Sequence, residues 1–470
     1  MRQHCVVVGA GISGLAAAWH LKNHYPQVRV TVVDSADRVG GKIAAGAISG
    51  LAPLDVGAES VLARRPEALD LIEQVGLGSQ VVHPKTSTAS IWSRGSLRSM
   101  PPRTLLGIPS DPQTLLGLLS AEEVERVRRE VIPAPAAGVV DISIGDLVSL
   151  RLGDAVVDRL IEPLLGGVYA GHSRHISAAA ALPLAFAAHQ QGQSLVQAAS
   201  TAIPSPPTGG ASAPPVFAGV RGGLHRLPST LAHRLTQADV PIRTGLTVRG
   251  LTRRGARFAL ECGPVPTPEI IDADMVVLAT PAPPTARLLA SVVPAASSIL
   301  ATIEVASMAI ITLALPSREV PDLSGSGILV PPVEDLTVKA ATFSSNKWDW
   351  VDRAGHRPSD DDLTVVRASI GRHGETEALR HTDADLIPIV LDDLRRMGID
   401  LPSARRWQVQ RWGGALPQYA PGHVQRVETV QAAIEHQPGL AVCGAAYQGV
   451  GIPACIASGR AAAEQVAASH

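Results

Sequence analysis

The stretch of this 470-residue chain best equipped for chemistry is Gly9-Ala10-Gly11-Ile12-Ser13-Gly14. Glycine at the first, third and sixth places has three distinct physical jobs. Gly9 permits a tight turn, Gly11 lets backbone approach a pyrophosphate, and Gly14 lets a helix pack closely on a strand. The start of that helix would offer N–H groups and a positive dipole end to phosphate. The flanking elements are the ones such a turn needs. An apolar run, Cys5-Val6-Val7-Val8, precedes it, helical residues 15–21 follow, and a second apolar run at 28–33 ends on Asp34. Asp34 stands twenty residues beyond the last glycine, where a carboxylate can accept hydrogen bonds from a ribose diol. Strand, turn, helix, strand and acid together predict a dinucleotide site.

Asp34 and Ser35 lead into Ala36-Asp37-Arg38-Val39-Gly40-Gly41-Lys42. This doublet resembles the R-x-G-G-[KR] run of amine-oxidase-type flavoproteins, where the chain passes the cofactor diphosphate. It favours FAD over NAD. Forty-one basic and 42 acidic side chains leave a net charge of −1, which gives no pull toward nucleic acid or an anionic membrane. Cys5, Cys262, Cys443 and Cys455 form no C-x-x-C and no metal-type cluster, so no metal is expected and reduced structural thiols are. The first apolar run begins within five residues of Met1, leaving no room for a signal peptide. No run approaches the ~20 apolar residues of a membrane span. A cytoplasmic protein is expected, with peripheral membrane contact left open.

The two chain ends belong together on this reading. Gly439-Leu440-Ala441-Val442-Cys443-Gly444 reads as a short buried strand, and Gly449-Val450-Gly451-Ile452-Pro453 opens an alanine-rich helix to residue 468. A second glycine-led helix start can then face the cofactor from the other side. The fold expected is α/β: a Rossmann-like FAD-binding domain of the amine-oxidase type, assembled from 1–81, 216–285 and 411–470. A helical substrate-cavity insertion at 82–205 and a mixed-sheet substrate domain at 286–410, with strands near 309–315 and 363–370, interrupt it. Residues 200–215, rich in Ser, Pro and Gly, read as a linker or surface loop. No internal repeat is evident.

In that order the chain resembles, nearly end to end, the porphyrinogen oxidases of haem synthesis. The motifs are Val6 to Leu15, Asp55-Val56-Gly57-Ala58-Glu59-Ser60, and Glu162-Pro163-Leu164-Leu165-Gly166-Gly167-Val168-Tyr169-Ala170-Gly171. Leu416-Pro417-Gln418-Tyr419 with Gly422-His423, and residues 449–453 with Cys455, complete them. By this resemblance Gly9, Ala10, Gly11, Ile12, Ser13, Gly14, Asp34, Ser35, Gly41 and Lys42 contact FAD. So do Gly57, Ala58, Glu59, Ser60, Val248, Trp412, Val450, Gly451 and Ile452. Gly167 and Val168 match a loop lying over the flavin beside the substrate. The chain departs from the family at His172, where an acid usually follows Y-A-G. Glu59 stands where mitochondrial and plastid forms carry arginine, and matches the Gram-positive branch that oxidises coproporphyrinogen III.

The resemblance implies a six-electron oxidation of a porphyrinogen with oxygen as acceptor, and a product handed to a ferrochelatase. The flavin carries the chemistry, so no protein acid or base is named; His172, His175 and His423 read as surface or structural. A tetrapropionate substrate calls for cations, and Arg64 and Arg65, after the Glu59 loop, are the candidates. Protoporphyrinogen oxidase is the near alternative. An amine oxidase is disfavoured by only six Trp, four Tyr and four Phe for an aromatic cage. A carotenoid desaturase, or a non-redox binding protein on the same fold, would be told apart by flavin content and substrate. A monomer or a homodimer fits equally.

Overall fold

The runs Cys5 to Val8, Val30 to Val33 and Met275 to Leu278 are rich in valine and buried on both sides, as strands in the middle of a parallel sheet must be. In the computed structural model, which describes residues 3–135, 138, 141–203, 214–356 and 362–469, they form its centre. The order is Ile242–Arg243, Arg29–Val33, His4–Val8, Met275–Leu278 and Leu440–Val442, all parallel. Its strands thus come from the first, middle and last parts of the chain. Part of the linker read at 200–215, residues 204–213, lies outside the described residues.

One face of this sheet carries helices Ile12–His24, Pro66–Gln74, Arg226–Gln237 and Ile452–Ala468, around a core that includes Leu15, Leu71, Leu231 and Ile456. The other face carries the antiparallel strands Val248–Arg254, Arg257–Cys262 and Glu269–Ala273, with helices Ala282–Leu289, Pro294–Leu300 and His423–Glu435.

A second, seven-stranded mixed sheet runs in the order Arg406–Pro417, Val305–Pro316, Leu363–Ile370, Val338–Phe343, Gly327–Leu329, Ser90–Ser93 and Ser96–Ser99. Its only parallel pair among the described residues is Gly327–Leu329 with Ser90–Ser93. The hairpin 90–99 falls in the stretch whose pattern reads as helical. Arg94 and Gly95 both take positive φ, +54° and +73°, the geometry that closes a two-residue hairpin. Helices from Ala121–Arg128 to Leu195–Ala202 pack around Leu147, Leu160 and Leu165 as a separate core. Among the described residues no helix is long and apolar enough to cross a membrane.

Helix Ile452–Ala468 lies against Ile12–His24 so closely that a Cβ on Gly459 would overlap the Ser13 carbonyl oxygen. Backbone cannot yield there as a flexible side chain would. Gly459→Ala should therefore cost about 1–3 kcal/mol, seen as a thermal midpoint lowered by several degrees with far-UV circular dichroism unchanged at low temperature. An unchanged midpoint would contradict this close approach.

Candidate flavin site

The glycines of the first turn behave individually. Gly9 has φ +114°, and a Cβ there would lie 2.7 Å from the Ala279 carbonyl oxygen. A Cβ on Gly14 would overlap the Gly9 carbonyl oxygen. A Cβ on Gly11 would meet nothing within 4 Å. Two glycines thus serve packing, and the third borders open space at the start of a helix that no side chain caps. That is the shape an anionic ligand needs.

Four further segments converge there. Gly40 donates its N–H to the Ala10 carbonyl at 2.8 Å, and a Cβ on Gly41 would stand 3.3 Å from Gly11 Cα. Arg38 fixes this turn by donating to the Gly41 carbonyl at 2.9 Å. A Cβ on Gly57 would overlap the Lys42 carbonyl oxygen and lie 3.2 Å from the Trp412 ring. Trp412 Nε1 donates to the Val56 carbonyl at 2.9 Å. From the C-terminus, Gly451 begins helix Ile452–Ala468, also without a side-chain cap. Cys455, in its first turn, is buried; burial raises its thiol pKa despite the opposing influence of Ser13 and the Lys42 ammonium. Lys42 is exposed, and desolvation by the surrounding protein, opposed by Cys455, lowers its pKa.

Asp34 is anchored before any ligand arrives. Its carboxylate accepts the Ala10 N–H at 2.6 Å and the Ala36 N–H at 2.8 Å. Ser35 beside it is exposed. Val248 opens the strand Val248–Arg254, two residues after Leu246, whose N–H donates to the Asp34 carbonyl at 2.8 Å. Ala58 is exposed and Ser60 half-buried, on either side of Glu59.

Glu59 is the strongest charge in this region. Its carboxylate takes Lys347 Nζ at 2.6 Å and also pairs with Arg367, whose guanidinium reaches the Gly57 carbonyl at 2.8 Å. Burial pushes the carboxyl up, and the two cations more than reverse it, holding it at about 2 against an ordinary 4.5. No local pattern points to Lys347 or Arg367, 288 and 308 residues downstream.

Gly167 and Val168 require a correction. They lie in the last turn of helix Glu162–Tyr169, not in a loop, and both are exposed. Ala170 ends the helix in the left-handed conformation, φ +47°. Arg64 and Arg65 are both exposed. Arg65 precedes helix Pro66–Gln74, and its fork is taken by Glu67 at 2.6 Å. Glu67 in turn senses Arg460, nine residues beyond Gly451 and so about 13 Å down that helix.

The structure also gives the Leu416 to His423 motif a task. Tyr419 OH donates to the Ala445 carbonyl at 2.5 Å and accepts the Gly449 N–H at 3.0 Å. Its ring stacks on His423 at 3.8 Å and meets Tyr169 edge-on at 5.5 Å. Gln418 donates to the Tyr169 carbonyl at 2.9 Å. One short segment thus ties the helical unit to the glycine turn at 449–451. His423 is buried with its pKa lowered to about 4, a structural neutral imidazole. Among the described residues no cluster of His, Cys, Asp or Glu could hold a metal ion.

The family profile described as flavin-containing amine oxidoreductase matches residues 12–467. This chain belongs to that family. A flavin is accordingly its cofactor, and the open turn at Gly11 between two uncapped helix starts fits one. A coproporphyrinogen III oxidase of Mycobacterium leprae is 36% identical over 98% of this chain and 97% of its own length. One from Bacillus subtilis is 30% identical, with coverage of 98% and 97%. A solved structure from Exiguobacterium sp. 255-15, provisionally named a protoporphyrinogen oxidase, is 30% identical with a TM-score of 0.83 over both full chains.

Two outcomes follow from this geometry. Gly11→Val places a branched side chain in open space, so the apoprotein should keep its thermal midpoint while the flavin absorbance band of the purified protein is lost; Gly14→Ala should lower the midpoint itself. Reversed behaviour would mean that Gly11 does not border the cofactor. Glu59→Gln should cost about 3 kcal/mol near neutral pH. The folded pKa is depressed, so the native stabilisation exists above pH 4.5 and fades toward pH 2. Thermal midpoints of both proteins should therefore converge on acidification; a gap independent of pH would refute the ion-pair account.

Proposed function

We propose that this chain is an FAD-dependent oxidase that converts coproporphyrinogen III to coproporphyrin III, with O2 as acceptor and hydrogen peroxide released. The observation that carries this reading is end-to-end likeness to relatives bearing that name, on a chain whose two ends build one dinucleotide cradle. FAD, when bound, supplies the hydride-accepting ring system. The overall change removes six electrons and six protons, and each electron pair reduces one O2 to one H2O2.

The residues have supporting parts. Gly11 and Gly451, with the helix starts behind them, receive the diphosphate, and Asp34 accepts from the adenosine ribose. Lys42, Gly57 and Trp412 form the wall that orients the ring system, with Val450 and Ile452 opposite. Val248 flanks the ribose end, and Glu59 holds the Gly57 loop rigid through Lys347 and Arg367. Gly167 and Val168 present an uncharged edge to the substrate, and Tyr419 keeps that edge in register with the turn at 449–451. Exclusion of water from this wall protects the reduced cofactor and the reactive porphyrinogen. The product, a metal-free porphyrin, suits handover to a ferrochelatase in the cytoplasm.

Protoporphyrinogen IX is the second reading, favoured by the Exiguobacterium likeness. Anaerobic mixing of purified holoenzyme with each candidate separates the readings. Coproporphyrinogen III should bleach the flavin band and show the higher kcat/KM; amines and polyenes should leave the band unchanged. A preference for protoporphyrinogen IX overturns the substrate, and bleaching by amines alone overturns the reaction. Asp34→Asn should weaken FAD by about tenfold or more, yet change little in the rate of a single turnover on fully loaded enzyme. An unaltered FAD affinity would remove Asp34 from the cofactor.

A further inference from the structure

Two cations are buried side by side behind the Gly167 edge, and nothing above uses them. Lys339 and Arg372 are 3% and 4% exposed. Lys339 sits at a break in the pairing of strand Val338–Phe343 with Leu363–Ile370, between partners Val338–Ile370 and Ala340–Ser369. Such a bulge re-aims a side chain. Here it turns the ammonium inward, where it donates to the Gly371 carbonyl at 2.8 Å and meets Met308 Sδ at 3.9 Å. Met308 is the cross-strand partner of Trp412, so Lys339 reaches the same wall that borders the cradle.

Arg372 donates through one terminal nitrogen to the Val330 carbonyl at 2.9 Å and through the other to Glu375 at 3.2 Å. Its Nε is buried without a partner and lies 3.8 Å from where a Cβ on Gly166 would stand. The carboxylate opposing the pair is Glu375, about half exposed and shared with His172 at 3.3 Å. Glu162, on the far side of His172, gives one oxygen to the Ser173 N–H and hydroxyl at 2.8 and 2.6 Å, and its other oxygen faces His172 at 3.9 Å rather than the two cations. Two buried positive charges thus face one half-solvated negative charge, an arrangement that costs free energy unless an anion completes it.

We propose that Lys339 and Arg372 form a carboxylate-binding site that takes one propionate of a porphyrinogen lying against Gly167 and Val168. The inference rests on the porphyrinogen reading above. It supplies buried cations for a propionate, where Arg64 and Arg65 are exposed. Burial, aided by the Arg372 charge and opposed by Glu375, brings the Lys339 ammonium down to about 7. The site therefore weakens as pH rises through neutrality.

The test is steady-state kinetics of the holoenzyme with coproporphyrinogen III between about pH 6 and pH 9, for wild type, Lys339→Met and Lys339→Arg. Methionine fills similar volume and removes a poorly matched buried charge, so that variant should fold. Its KM at pH 6.5 should rise about tenfold or more, with kcat within about twofold. Wild-type kcat/KM should fall above neutrality; Lys339→Arg should restore the low KM and flatten that fall. The neutral tetramethyl ester of the porphyrinogen should not distinguish Lys339→Met from wild type. If Lys339→Met matches wild type on the acid, or loses the acid and the ester equally, the site is refuted while the functional reading stands. A wild type that oxidises no porphyrinogen refutes both.

Discussion

Backbone meeting backbone around helix Ile12–His24 is the contact on which the rest of the molecule depends. Gly14 lies on the Gly9 carbonyl and Gly459 lies on the Ser13 carbonyl, so strand, first helix and last helix lock with no side chains between them. Those approaches bring the two glycine-led helix starts to one place. Seventeen residues of C-terminal helix would otherwise have no reason to share a core with the first strand. Everything between can then be inserted, because both ends of each insertion return to one rigid frame.

Polar contacts, beside the packing of Ile48 and Leu54 on Trp348 and Val365, join the remaining segments to that frame. Asp55 accepts the Leu224 and His225 N–H groups at 2.7 and 2.9 Å, joining the segment around residue 55 to the one around residue 224. Glu59 with Lys347 and Arg367 joins the Gly57 loop to the large sheet. Tyr419 joins the helical unit to the turn at 449–451. The Asp55 and Glu59 carboxylates, the Lys347 ammonium and the Tyr419 hydroxyl are buried or largely so and hydrogen-bonded, which is the condition under which burying them is tolerated. Lys339 and Arg372, by contrast, are opposed by the half-exposed Glu375.

How much of this the sequence disclosed depends on separation along the chain. The strand–turn–helix unit at 4–33 was legible because its apolar runs and glycines interact within thirty residues. The join of the two ends was legible because each carries a glycine-led helix start of the same kind. The partner of Arg65 lies within local reach: Arg65-Pro66-Glu67 opens a helix, and an acid in the first turn captures the preceding guanidinium. The partners of Glu59 were beyond reach, since no local pattern in Lys347 or Arg367 names a carboxylate 288 or 308 residues away. Gly167 and Val168 read as loop through the family resemblance, and paired glycines also weaken helices. Packing around Leu165 and Tyr169 overrides that preference.

The account stands on the cradle between the two helix starts. Its most direct measurement is the cofactor content of the purified protein. Absorbance near 450 nm, followed by denaturation and mass spectrometry of the released chromophore, should give one FAD per chain. A folded protein that carries no flavin after incubation with excess FAD, or that retains FMN and rejects FAD, would contradict it.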